Sequence, residues 1–275
     1  MIRLIRVELA KVVRRPRTYL GYVAVLLILV PFLISLHYGR PEHFLRAQVG
    51  RDFAVVGTFF NALFLAHLVM KVVMVVFMPF FGSTVAGDVV AGEAGEGTLR
   101  TMLVRPVSRS AVLLAKYIVA ALHAVGVTFF LLAASLGLGG LLFGFGDLFL
   151  FEAGLCIVPL KEGLLRLLGA YAAAALAVLS VASIAFLVSV LVDNALYAVG
   201  GALAVFIITG VVAVIPYFER LHPYLFITHM DLWQKLMLDP VPWAELGRSA
   251  AWLAGYCAAC FLAALLLFRR KDILS

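Results

Sequence analysis

Residues 168–192, LGAYAAAALAVLSVASIAFLVSVLV, and residues 195–215, ALYAVGGALAVFIITGVVAVI, are two apolar runs separated only by Asp193-Asn194. Neither run contains a Lys, Arg, Asp or Glu. A bilayer core about 30 Å thick needs ~20 mostly apolar helical residues to cross it. Each run is therefore long enough for one crossing, and the polar pair between them reads as a turn that sends the chain back. Four more runs meet the same criterion, at 19–37, 64–86, 117–142 and 250–268. The sequence predicts an all-α integral membrane protein with six transmembrane helices, forming one transmembrane domain over residues 1–275.

Composition agrees. Of 275 residues, 64% are hydrophobic and 13% are charged, and the mean hydropathy is +1.09. Soluble domains are about half apolar and a quarter charged. The first run is preceded by 18 residues holding six Lys/Arg, unlike a cleaved signal peptide, so it is expected to remain as a helix.

Charge sets the orientation. With a cytoplasmic N-terminus, 13 basic residues fall on the inner side and 8 on the outer side, with Lys71 inside a span. Acidic residues divide 6 and 9, so the +7 net charge of the chain gathers on the inner face. This excludes nucleic acid as the reason for the basic balance. It also fits an even number of spans, with N- and C-termini both cytoplasmic. Residues 1–18 carry Ile2, Ile5, Leu9 and Val12 at helical spacing, with Arg3, Arg6 and Arg14 off that stripe. This predicts an interfacial elbow helix that turns at Pro16 into the first span. Two outer segments, 143–167 and 216–249, mix aromatic and charged residues as interfacial helices do. The fourth span is rich in Ala and Ser, which places it in the bundle interior or at a subunit interface.

The most informative inner stretch is 87–109, GDVVAGEAGEGTLRTMLVRPVSR. Asp88, Glu93 and Glu96 follow the second span. Residues 98–104 read as a short helix with Leu99, Met102 and Leu103 on one face. Pro106 ends it, and Ser108 or Ser110 can cap the next helix. A short helix that exposes an apolar stripe to the cytoplasm suits insertion into a groove on another protein.

At these residues the chain resembles the small six-helix permeases of the type-two class of ABC exporters. The resemblance rests on Gly92-Glu93, Gly97-Thr98-Leu99, Arg105-Pro106-Val107 and Ser108-Arg109. It extends to the basic N-terminal segment, and to Val241-Pro242-Trp243 with the closing run from Phe268 to Ile273. It implies a bacterial cytoplasmic (inner) membrane and a dimer of permeases, homo- or heterodimeric. Two copies of a separate cytoplasmic ABC ATPase subunit would bind ATP and Mg, with no cofactor on this chain. It makes 87–109 the coupling segment, with Glu93, Gly97, Thr98, Leu99, Arg100, Met102 and Leu103 carrying the ATPase contact. The family's range also includes mechanotransmitting subunits that act on an external partner protein without passing a substrate. The loop reading Asp193-Asn194 departs from the family, where many relatives carry basic residues.

Other chemistries fail on residue content. The Gly92-to-Gly97 spacing imitates a phosphate-binding loop but continues Thr98-Leu99, with no lysine and no preceding strand. His67 and His123 differ in depth by most of a bilayer, so they cannot share one haem iron. No His-Glu-x-x-His or G-x-S-x-G occurs, and Cys257 and Cys260 lie in an apolar run as packing residues. No enzymatic activity is expected of this chain itself. Lys71 is basic within a span, where charge costs ~2.5–3.5 kcal/mol. It can snorkel to the outer headgroups or line an outer cavity with His67, four residues earlier, and Asn61.

Overall fold

The computed structural model describes residues 1–39, 60–98, 108–151 and 156–270. Helix α1 (Ile2–Arg14) leads through a 3-10 turn (Pro16–Tyr19) into α2 (Leu20–Tyr38). Then come α3 (Ala62–Gly95), α4 (Arg109–Phe143), α5 (Leu160–Leu191) and α6 (Ala195–Val214). A short α7 (Leu232–Lys235) precedes the closing α8 (Trp243–Arg270). Among the described residues, six helices are long and apolar enough to cross a membrane: Pro16–Tyr38 and α3, α4, α5, α6 and α8. The chain is an all-α, multi-pass membrane protein.

Several helices outrun the apolar stretches that reveal them. At 1.5 Å per residue, the 34 residues of α3 extend ~51 Å, well beyond a ~30 Å hydrocarbon core. The excess of α3 lies mostly at its C-terminal end, residues 87–95, where charges begin. The turns there stay helical because their charged side chains find partners within the protein.

The centre of the bundle is the α3–α5 pair. The apolar windows of α5 and α3 are 72% and 67% buried, against 17% for α6, which separates core helices from peripheral ones. The small residues of α5 (Ala170, Ala174, Ala177, Ala182, Ala185) are therefore an interior surface. Of the two roles its composition allowed, the structure shows packing inside one chain. The fully buried Tyr171 of α5 donates its hydroxyl to Ala66 O of α3 at 3.0 Å. The Tyr117 hydroxyl of α4 lies 2.8 Å from Ser183 Oγ of α5. Gly82 of α3 faces Val178 so closely that a Cβ would collide with its side chain. Gly82→Leu should therefore cost about 1–3 kcal/mol by overpacking. A thermal unfolding midpoint equal to wild type in detergent would contradict this close approach. The exposed faces are apolar, such as Ile207, Ile208, Val211 and Val214 on α6, as befits contact with hydrocarbon.

Alternating helices sort the loops into two ends. One end gathers α1, the end of α3, the start of α4, the α5–α6 turn and the end of α8. There Arg109 Nη1 donates to Arg269 O at 3.4 Å, and Arg269 Nε donates to Ser110 Oγ at 3.3 Å. This is the terminus-bearing end. The opposite end differs from the interfacial helices expected over 143–167. An antiparallel hairpin forms there, β1 (Leu148–Leu150) against β2 (Cys156–Val158), with Leu148 opposite Val158. Leu148 and Leu150 are buried while Phe149 between them is half-buried, a period of two that belongs to strands. The rest of that segment, from Leu160, is already α5. The 216–249 segment forms 3-10 turns at Pro216–Tyr224 and Phe226–His229, then α7 and the first turns of α8. His229 stacks on Trp252 and Phe226 meets Tyr256 edge-on, fastening this segment to α8.

Candidate functional site

The terminus-bearing end holds a closed ring of four charges. Lys116, eight residues into α4, is fully buried. An ammonium has three donors and no acceptor. Lys116 Nζ donates to Glu8 Oε2 at 2.9 Å and to Val89 O at 3.0 Å. It also forms an ion pair with Glu93 Oε2 at 2.7 Å, outside hydrogen-bond geometry. Lys11 bridges the other oxygens of the same carboxylates, 2.9 Å from Glu8 Oε1 and 2.9 Å from Glu93 Oε1. Each ammonium touches both carboxylates, and the ring is neutral. It unites α1, α3 and α4. Glu8 and Glu93 are 1% and 4% exposed, so only close pairing makes their charges tolerable in the interior.

A second tier lies outside the ring. Arg15 Nη1 meets Asp88 Oδ2 at 2.5 Å and Arg15 Nη2 meets Glu96 Oε2 at 3.3 Å, while Arg17 meets Asp88 Oδ1 at 3.4 Å. Burial alone would lower the pKa of Lys11 and of Arg15. Hydrogen bonds and charge from Glu8 and Glu93 outweigh burial for Lys11, and those from Asp88, Glu96 and Glu93 do so for Arg15, raising both above their ordinary values. Both therefore stay cationic in any physiological medium. Asp88, Glu93 and Glu96 sit at the C-terminal end of α3, where the helix dipole disfavours negative charge, and no basic residue occupies its last turn. The cations come instead from α1, the turn after it and α4. A cleft of about 650 Å³ opens beside these residues, bounded by α1, the end of α3 and the start of α6.

The chain after the ring is sharply terminated. Gly97 takes φ +70° and its N–H donates to Ala94 O at 3.1 Å, the left-handed stop that glycine supplies most readily. Thr98 Oγ1 caps Glu93 O at 3.3 Å. Gly97 and Thr98 thus end α3, and a Cβ on Gly95 would lie 2.5 Å from Asp193 O of the α5–α6 turn. The Gly92-to-Gly97 spacing is a helix end, not a phosphate loop. Leu99, Arg100, Met102 and Leu103 lie outside the described residues. Ser108 resumes the chain as the N-cap of α4, accepting from Ala111 N at 3.3 Å.

The residues expected to line a pathway stand at the opposite end, away from the ring. Asn61 caps α3 by accepting from Leu63 N and Phe64 N, each at 3.0 Å, and donates to Asp147 O at 2.7 Å. His67 is buried and Lys71 half-buried on the same helix. His123 Nε2 lies 3.3 Å from Phe81 O. Phe81 is fourteen residues from His67, ~21 Å along the helix, which separates the two histidines as their depth required.

Sequence reasoning missed Glu8 and Lys116. Glu8 stands three residues after Ile5 and four before Val12, an acid inside the apolar face of α1. The structure turns only one edge of that face toward the bundle, burying Glu8 and Val12 while Ile2 and Leu9 stay exposed. Lys116 directly precedes the apolar run at 117–142 and so reads as a flanking charge, whereas the structure begins that helix at Arg109.

The family model described as "Protein of unknown function (DUF2705)" matches residues 49–274. The chain belongs to this family. The match takes in Asp88, Glu93 and Lys116 and leaves out α1, which brings Glu8 and Lys11 to the ring. The "Uncharacterized protein YhcI" of Bacillus subtilis (strain 168) is similar, 27% identical over 201 residues covering 70% of this chain and 64% of that protein. The chain thus spans under two thirds of its relative's length. Neither description names an activity.

Proposed function

We propose that this chain is the membrane permease subunit of an ATP-driven ABC exporter, coupling ATP hydrolysis on a separate cytoplasmic ATPase to export of a substrate. The observation that carries the reading is the ring of Glu8, Lys11, Glu93 and Lys116, which joins three helices immediately before the 98–109 stretch. In this reading the terminus-bearing end faces the cytoplasm, α1 is the elbow helix and residues 99–103 dock in a groove of the ATPase. A push on that segment reaches α3 through only a few residues, and the ring passes it to α1 and α4 together. Two copies of the permease, or this chain and a homologue, would pair with two ATPase subunits in a bacterial cytoplasmic membrane. ATP and Mg would be held by the partner.

The test is reconstitution of the purified chain with a co-expressed ATPase subunit in proteoliposomes. The expected result is a stable complex whose ATP hydrolysis exceeds that of the isolated ATPase several-fold. No complex and no stimulation would overturn the reading. A second reading, a mechanotransmitter acting on an external protein, is supported by the hairpin and the aromatic-fastened turns at the opposite end. An external protein that co-purifies with the complex, with no substrate movement in vesicles, would favour it.

A further inference from the structure

At the opposite end, a cleft of about 770 Å³ runs along the bundle flank between α5, α7 and the start of α8. One wall is Leu165, Gly169, Ala173 and Leu176 of α5, at steps of four, four and three, which is one helical face. The facing wall includes Leu236, Val241 and Leu246. The mouth is charged. Arg166 Nε and Nη2 donate to Glu162 Oε1 at 3.1 and 2.8 Å, and Nη2 lies 3.7 Å from Asp239 Oδ1. Arg166 Nη1 is buried with no hydrogen-bond partner among the described residues. The two carboxylates are 55% and 56% exposed and share one guanidinium.

We propose that this cleft binds a zwitterionic phospholipid of the surrounding bilayer. Its phosphate is held by Arg166, its ethanolamine ammonium by Glu162 and Asp239, and one acyl chain lies in the apolar groove. Charge complementarity selects this occupant. Arg166 lines the cleft with its side chain 17% exposed, and supplies the cation that a phosphate requires. The surplus carboxylate repels a purely anionic headgroup and attracts the ammonium. The groove runs ten residues from Arg166 to Leu176, ~15 Å parallel to the helix axis, as an acyl chain in the adjoining leaflet runs. Trp243, 68% exposed, borders it, and tryptophan is enriched at headgroup level.

The test uses the purified full chain in detergent with an equimolar mixture of dioleoyl phosphatidylethanolamine and dioleoyl phosphatidylglycerol, bound lipid being counted by native mass spectrometry. Wild type should retain the ethanolamine lipid at least 5-fold over the glycerol lipid. Arg166→Gln should lower that retention at least 5-fold, and Glu162→Gln with Asp239→Asn should turn the preference toward phosphatidylglycerol. Gly247→Leu, at a cleft position where a Cβ meets nothing within 4 Å, should fold normally and reduce retention of both lipids. Equal retention of the two lipids by wild type, or unchanged retention by Arg166→Gln, would overturn the proposal. So would a dimer that Gly247→Leu dissociates with lipid retention unchanged, since a second copy would then cover the cleft. None of these readouts depends on an ATPase, so the exporter reading stands or fails separately.

Discussion

Lys116→Met should be among the most damaging single substitutions in this chain, lowering stability by about 3–5 kcal/mol, the usual cost of breaking a buried ion pair from one side. The ammonium is fully buried and holds Glu8 and Glu93. Without it, two buried carboxylates share Lys11 alone, itself 37% exposed. Methionine keeps the length and apolar stem, which isolates the charge from the packing. The check is thermal unfolding of the detergent-purified protein, with Glu8→Gln/Lys116→Met alongside. The double variant leaves a neutral pair, Lys11 with Glu93, and should recover a large part of the loss. A single variant as stable as wild type would mean that the ring does not fasten α1 to the bundle.

The second large effect belongs to the segment after the ring. On the proposed docking, Leu99→Asp with Leu103→Asp should weaken association with an ATPase subunit on the order of 100-fold. Burying a leucine contributes roughly 1.5–3 kcal/mol, so losing two such anchors costs at least ~3 kcal/mol, and 1.4 kcal/mol is tenfold. Co-purification and ATPase stimulation both report it. Undiminished complex formation by the double variant would refute docking through this stripe, even if the chain does bind an ATPase elsewhere.

The bundle was legible because crossing a bilayer demands long uncharged runs, and six such runs leave little choice of architecture. Helix ends were less legible. Apolar runs stop where the first charges appear, but α3 continues to Gly95 because Asp88 and Glu93 find Arg15, Lys11 and Lys116. Those partners lie 73, 82 and 23 residues away in the chain, and no local pattern links them. Glu8 could have been seen as an acid within an apolar stripe, but not its pairing with a lysine 108 residues later. The strand pair at 148–150 and 156–158 was hidden, its first strand lying in a short apolar run. Four consecutive apolar residues, Leu148 to Phe151, do not distinguish a strand from a turn of helix by periodicity. The small-residue face of α5 allowed an interior or an intersubunit role, and only its packing on α3 decides for the interior.

The proposed coupling depends on the orientation of the bundle, because it needs residues 87–109 on the side where ATP is made available. It can be tested with single cysteines on a background in which Cys156, Cys257 and Cys260 are replaced by serine. Glu96→Cys marks the terminus-bearing end, and Tyr217→Cys, at a residue 88% exposed, marks the opposite one. Intact cells are treated with a membrane-impermeant maleimide. Labelling is expected at position 217 from outside and at position 96 only after the membrane is permeabilised. Labelling of position 96 in intact cells, with position 217 protected, would invert the molecule and remove the proposed coupling segment from the reach of any cytoplasmic ATPase.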